Sequence, residues 1–453
     1  MRRITTNLMS LFAIIAAALF ASCSSQSRNK ILEAVPSDAT GVTFIDFERL
    51  RNAGVELTEL SLSRYMIPSA EGIGAEVALS DGVMIGIMPA PAPDSLSAAG
   101  FKVSGEPDGT LTPYTNPDGL TSVVDSRNGI AYSVTMSAPR AMELIKEVVQ
   151  AASNKSFASN LGLADQFVKD AEAGAVIYGA LSRSLIGNYK VQPGDTQSSQ
   201  WLTYSIRQES DVASVSAKLM EGSGKPVELK GLQAISTDFL RYVPADMNVV
   251  AAAGLTPEID WDAAAALVNM VADRTTAGYI AAAAPYLKSI DGTVAIALGF
   301  DKAGNLSPAT TRFLAMVRMD RSKINEVVRQ AGVLAALGGA STEQISATVS
   351  RIALPASSGM PSEIYIGEVD GNLVISSYLP DGKANNSFTT SVEGHEAAAV
   401  VAVPARVLPA AQFPANQGID VRFILDSTGA TTRVAFPGAD RTPLAVLAGI
   451  LGI

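Results

Sequence analysis

The sequence predicts an α+β protein made of two tandem related modules, each a mainly antiparallel sheet packed with helices. Three observations carry that expectation. The chain has 453 residues, of which 47% are hydrophobic and only 17% charged. That is ample material for more than one core and too apolar for a disordered chain. Short strand-like runs are joined by hairpin turns such as Val369-Asp370-Gly371-Asn372, which specify antiparallel pairing rather than β-α-β crossovers. Finally, segments of the first half recur in the same order in the second.

The recurrence is a series. Val35-Pro36-Ser37-Asp38 returns as Val243-Pro244-Ala245-Asp246, 208 residues later. Asp81-Gly82 before VMIGIM pairs with Asp291-Gly292 before TVAIALGF at 210, and the hairpin TSVVDSRNGIAYSV pairs with IGEVDGNLVISSY. Ser156-Phe157 matches Ser387-Phe388 at 231, and EAGAVIYGAL from Glu172 matches EAAAVVAVPA from Glu396 at 224. The helical runs at Ile145 and Ile324 also look alike, but their offset of 179 breaks the series. Similar apolar faces arise from helical period alone, so that pair is set aside. The expected organisation is residues 1–22 as a signal peptide, 23–30 as a polar tether, 31–230 as module 1 and 231–453 as module 2. The join falls within Glu221–Lys230.

The elements follow from local pattern. Strands are expected at Val83–Met88, Ser122–Val134 around a turn, Ala175–Leu181, Thr293–Leu298, Ile364–Ser377 around Asp370-Gly371, and Ala397–Val403. Ala141, Leu144, Ile145, Val148 and Val149 follow the i, i+3, i+4, i+7, i+8 spacing of one helical face. Asp320 can cap a helix carrying Ile324, Val327, Val328 and Ala331, with Gly332 ending it. Pro257 and Glu258 can open another. Pro89–Pro93 and Gly105–Gly119 read as loops. The last residues, from Thr442-Pro443 into LAVLAGILGI, read as an N-capped apolar helix buried in module 2. At about 11 residues it is too short to cross a bilayer.

The amino terminus is an address. In MRRITTNLMSLFAIIAAALFASC, Arg2 and Arg3 precede an apolar stretch from Leu8 to Ala21, then Ala21, Ser22 and Cys23. The stretch is about 14 residues, of export-signal rather than membrane-spanning length. The run resembles a bacterial lipoprotein signal peptide with its lipobox, although Phe20 stands where that family usually has Leu. The resemblance implies cleavage before Cys23, a diacylglycerol thioether on its sulfur and an acyl group on its amine. Several acyl chains give a stable anchor where one does not, so the expected partner is a membrane held through this lipid. Cys23 is the only cysteine, which leaves none for a disulfide. Ser24 in place of Asp points, by analogy with other bacteria, to the outer membrane, with the body facing the periplasm. The lipobox, the tether, Val35-Pro36-Ser37-Asp38, Lys155-Ser156-Phe157 and the duplicated body together resemble an uncharacterised group of Bacteroidota lipoproteins. That group supplies no mechanism and no site residues.

Chemistry is scarce. Asp plus Glu total 44 against 34 Lys plus Arg, a formal charge of −10; a nucleic-acid binder needs the opposite balance. The one histidine, His395, has only Glu393 and Glu396 nearby, and zinc sites need several His or Cys ligands. Neither a metal nor another cofactor is expected, and Ser-His-Asp catalysis lacks its nucleophile elbow. Gly222-Ser223-Gly224-Lys225-Pro226 fails as a phosphate loop because Pro226 stands where Ser or Thr must hold magnesium. Gly72-Ile73-Gly74 lacks the third glycine of a dinucleotide site. Asp46/Glu48 and Asp260/Asp262 read as helix caps. Ser27-Arg28-Asn29-Lys30 lies in the tether with no helix to position it. Ser95 and Ser427 each follow an Asp in a short motif like that of O-glycosylated Bacteroidota export proteins.

The expected function is therefore non-enzymatic binding or scaffolding in the cell envelope, beside an envelope protein partner. Two alternatives stand beside it. A hydrolase working with carboxylates alone would need a cleft with two Asp or Glu of separated pKa. A periplasmic carrier of an apolar ligand would need a cavity of some hundreds of Å3.

Overall fold

The computed structural model describes residues 26–55, 72–182, 200–228, 230–259, 286–299, 311–355, 361–383, 399–403 and 420–451. The protein is α+β and its strand pairs are antiparallel. Two compact units divide it: Met1–Val227 with Asp440–Ile453, and Glu228–Ala439. The join falls inside the glycine-containing stretch expected to hold it.

The first unit opens with a helix over residues 26–34, α1. Strand β1 (Gly41–Asp46) is wholly buried and runs into α2 (Phe47–Asn52), whose first N–H groups Asp46 caps. There follow β2 (Ile73–Ala78), β3 (Met84–Pro89), α3 (Pro93–Ala98), β4 (Lys102–Val103), β5 (Leu111–Thr115), β6 (Leu120–Asp125) and β7 (Ile130–Thr135). Helices α4 (Ala138–Asn154) and α5 (Leu161–Glu172) lead to β8 (Ala175–Ser182), β9 (Gln200–Glu209) and β10 (Val212–Glu221). The sheet order is β4-β5-β6-β7-β3-β2-β1-β8-β9-β10. One face meets α4 through Ala141, Ile145 and Val148, as the spacing predicts. Beneath lies an aromatic group in which Phe44 stands 5.3 Å from both Phe167 and Tyr178. The other face gathers Ile45, Phe47, Leu50 and Leu96.

The second unit has β11 (Leu232–Gln233), a 3-10 turn at Asp238–Tyr242, β12 (Val249–Leu255), β13 (Ile290–Gly299) and β14 (Arg312–Met319). Helix α6 (Arg321–Leu337) precedes β15 (Ser341–Gln344), β16 (Val349–Ala353), β17 (Glu363–Val369) and β18 (Asn372–Ser376); β19 (Ala399–Val403), β20 (Asp420–Leu425) and β21 (Gly429–Ala435) complete the unit. Its order is β15-β16-β17-β18-β14-β13-β12-β19-β20-β21, with β11 beside the end of β12. This repeats the first unit strand for strand, β12 standing for β1 and β21 for β10. The long helices fall in different connections, although α6 and the short α3 share one, from β14 to β15 and from β3 to β4. The first unit spends its long helix between β7 and β8, whereas α6 joins β14 to β15. The runs at Ile145 and Ile324 thus lie in different connections, which is why their offset stands apart.

Several expectations need correction. Asp81-Gly82 forms the β2–β3 turn, but Asp291-Gly292 lies at the irregular start of β13, so that pair is not equivalent. Residues 26–30 are not tether: they begin α1, because Arg28, Ile31 and Leu32 are buried against the unit. Gly105–Gly119 is not all loop, since Leu111–Thr115 pairs with β6. Helix α6 runs through Gly332 and stops before Gly338 and Gly339, the latter at φ +77°. The final helix, α7 (Pro443–Leu451), belongs to the first unit rather than the second. Leu444, Ala445 and Ala448 enter the core of Ile45, Phe47 and Leu50. Thr442 caps it by accepting from Ala445 N at 3.3 Å, and Gln208 Oε1 accepts from Leu444 N at 2.9 Å. The helix at Pro257 falls largely outside the described residues.

Candidate functional site

In the second unit, the 3-10 turn, the start of β13, the end of β14 and the β17–β18 turn meet around a hollow of about 390 Å3. Its floor is apolar, made by the buried Phe239, Ala295 and Met316. Its rim is charged. Asp370 sits in the hairpin turn at φ +49° and ion-pairs with Arg241, while Tyr242 donates its phenol hydrogen to the same carboxylate oxygen. The Arg241 guanidinium also lies 5.0 Å above the Tyr242 ring, a cation–π geometry. Burial, and then the Asp370 carboxylate, push the Tyr242 phenol above its ordinary value. On the other side, Ser236 Oγ donates to Asp238 at 2.9 Å and Thr293 Oγ1 accepts from Ser236 N at 2.7 Å.

Arg318 crosses between these groups. It donates from Nη1 to the Asp370 carbonyl at 3.0 Å. Two glycines make room for it: a methyl on Gly292 would stand 2.5 Å from Arg318 Cγ, and one on Gly371 2.5 Å from Nη1. Both have φ values, +139° and +73°, that favour glycine. Among the described residues no carboxylate lies within ion-pair distance of Arg318, whereas Arg312 pairs with Asp246 and Arg321 with Glu368.

The first unit has a hollow of about 440 Å3 bounded by the matching segment before β1 and the matching hairpin turn, but walled by Val149, Ala152 and Ser153 of α4 in place of the β13 and β14 ends. With the 208 offset, Lys30 stands for Asp238, Glu33 for Arg241 and Ala34 for Tyr242; in the hairpin turn Asn128 stands for Asp370 and Ile130 for Asn372. Register places Pro89 opposite Ile130, where the second unit has Arg318 opposite Asn372. The duplication keeps the hollow and changes its chemistry. At Lys30 and Glu33 a charge is kept with its sign reversed relative to Asp238 and Arg241, while the positions of Arg318 and Asp370 carry none.

A second unusual feature lies on the first unit's sheet. Ser122, Ser133, Gly86, Glu76, Thr43 and Gly179 stand opposite one another from β6 to β8. Directly paired residues share a face, so these form a polar belt, ended by Tyr204 on β9. Thr43 and Tyr204 share a hydrogen bond of 2.5 Å. Glu76 is only 4% exposed, its Oε1 has no hydrogen-bond partner, and burial pushes its carboxyl up to about 8. The matching row of the second unit, Ile366, Ile375, Ala315, Ile296 and Ala251, is apolar.

The residues singled out from the sequence fall elsewhere. Cys23, His395, Asp260 and Asp262 lie outside the described residues. Asp46 is a helix cap, accepting from Arg49 N at 3.0 Å. Ser27 and Lys30 do lie on a helix, contrary to expectation, and Lys30 lines the first hollow. Ser95 is half-buried in α3 beside the buried Leu96; Ser427 is exposed in the β20–β21 turn, where Asp426 accepts from Thr428 N and Gly429 N. Gly222–Gly224 is a turn packed against Gly162 rather than a loose linker. No group of three or more His, Cys, Asp or Glu placed to hold a metal occurs among the described residues. Arg241, Arg318 and Glu76 were missed by sequence reasoning, which noticed Asp370 only as a turn residue. Their one signal was the failure of the repeat to conserve charge at equivalent positions. No family model matches the chain, and no curated protein or solved structure is significantly similar to it.

Proposed function

We propose that the chain is a non-enzymatic binding protein of the cell envelope, lipid-anchored to the outer membrane through Cys23 with its body in the periplasm. The observation that supports binding is the hollow of the second unit. Its polar groups are arranged to hold rather than to react. Asp370 is engaged by Arg241 and Tyr242 together, and Asp238 by Ser236. A carboxylate-only hydrolase requires an acid and a base facing one reacting bond. The carboxyl with the large upward shift, Glu76, is instead buried within the other unit's sheet. An apolar carrier would present a cavity with fewer charges than this rim has. The anchor accounts for the single cysteine, and the second partner is an envelope protein that the body reaches from the membrane.

The test is in cells. A photo-crosslinking side chain at Asp238, on the rim, should give a reproducible adduct, and labelled palmitate should enter the wild type but not Cys23→Ala. Absence of any adduct from the rim would remove the binding reading. Palmitate labelling of Cys23→Ala equal to wild type would remove the anchor.

A further inference from the structure

Resting on the reading of the second unit's hollow as a binding site, we infer that it takes the free carboxyl end of a peptide, with Arg318 as the residue that reads the carboxylate. Four features lead there. Among the described residues the Arg318 side chain makes one hydrogen bond, to a backbone carbonyl, and has no carboxylate partner. A guanidinium carries five donors in a rigid fork that matches a carboxylate. Its position is built, since Gly292 and Gly371 leave the volume it fills. It is also specific to this unit, because the first unit has Pro89 at that register position.

The surroundings select among anions. Asp238 and Asp291 share the rim with Arg318. Their negative field opposes a dianion such as phosphate, while their oxygens can accept from peptide N–H groups. The Phe239 and Met316 floor suits a small apolar side chain beside the carboxylate. The β13–β14 register shifts between Ile290 and Val294, so residues 291–293 do not pair with β14, while Gly292 and Thr293 still pair with β12 on the other side. A volume of about 390 Å3 admits one or two residues. Capture of a terminal carboxylate by converging donors is an established mode of peptide recognition.

The experiment uses the full mature chain and titrates N-acetyl-trialanine as the free acid and as the C-terminal amide, with free alanine and inorganic phosphate alongside. The acid should bind at least tenfold more tightly than the amide. Arg318→Gln should weaken the acid to the level of the amide while leaving the amide's affinity and the melting temperature unchanged. Gly292→Ala, which displaces Arg318 without removing its charge, should weaken the acid in the same way. Equal affinity for acid and amide, or an Arg318→Gln variant that binds the acid as the wild type does, overturns the inference. Phosphate binding as tight as the acid overturns the carboxylate assignment, and free alanine binding as tightly overturns the peptide assignment. If no probe binds, the ligand class is wrong; an adduct from the Asp238 crosslinker would then leave the binding reading standing.

Discussion

Phe157 donates its backbone N–H to the carbonyl of Val35 at 2.8 Å, joining two motifs that lie 122 residues apart in the chain. Ser37 N closes the clasp on the Lys155 carbonyl at 3.0 Å, and Pro36 bridges Ser156. Val-Pro-Ser-Asp and Lys-Ser-Phe are therefore one structural object, the seam between α1 and the α4–α5 connection. The Phe157 side chain turns inward from it and meets Trp201 edge-on at 5.5 Å. At 1% exposure it fills core volume that smaller side chains would leave empty. Phe157→Ala should cost about 3–5 kcal/mol, read as a lowered denaturant midpoint. A loss below about 1 kcal/mol would mean that the clasp holds without its aromatic anchor.

Glu76 makes stability depend on pH. Its carboxyl is held near 8 in the folded chain by burial, against 4.5 when free. A proton bound more tightly by the folded state stabilises fully below the unfolded pKa, and that contribution disappears as pH rises through the folded one. Stability should fall between about pH 4.5 and 8, by on the order of 5 kcal/mol at most. Glu76→Gln removes the titration, so the variant should gain on the wild type across that window. Urea melts at pH 5 and pH 8.5 measure it; the same difference at both would show that Glu76 is not charging.

The strands and the duplication were legible because turn dipeptides and apolar runs are local signals. The β6–β7 and β17–β18 hairpins illustrate this, each closing on a glycine, Gly129 or Gly371, at positive φ. Arg318 was not legible. Its role depends on Gly292, Gly371 and Asp370, which the sheet brings together from three strand ends. Glu76 was hidden for a related reason: in sequence it is one acid in an apolar strand, and only cross-strand register sets it beside Gly86 and Thr43. The misplaced α7 shows a further limit. Its apolarity predicts burial but does not say against which core.

Helix α6 should be energetically lopsided. Ile324 is 1% exposed and sits with Ile352, Ile366 and Leu373, whereas Leu337 at the far end is 81% exposed. Ile324→Ala should cost about 2–5 kcal/mol. Leu337→Ser, at the last helical position before the C-cap Gly338, removes an exposed side chain and should cost no more than about 1 kcal/mol. Denaturation of the two variants side by side settles it. Equal losses would place Leu337 against a covering surface.

The last prediction concerns α7. Leu444 is 2% exposed within the first unit's core, beside residues of β1 and α2 some 400 positions earlier in the chain. Thr442 Oγ1 donates to the Ala53 carbonyl and ties the helix start to the end of α2. Because α7 supplies core rather than cover, Leu444→Ala should cost about 2–5 kcal/mol. The damage should appear locally in hydrogen exchange, as faster exchange of the amides of α2 and β1, with those of β12 to β14 unchanged. If β12 to β14 lost protection and α2 kept it, the helix would belong to the second unit's core, as its place in the sequence first implies.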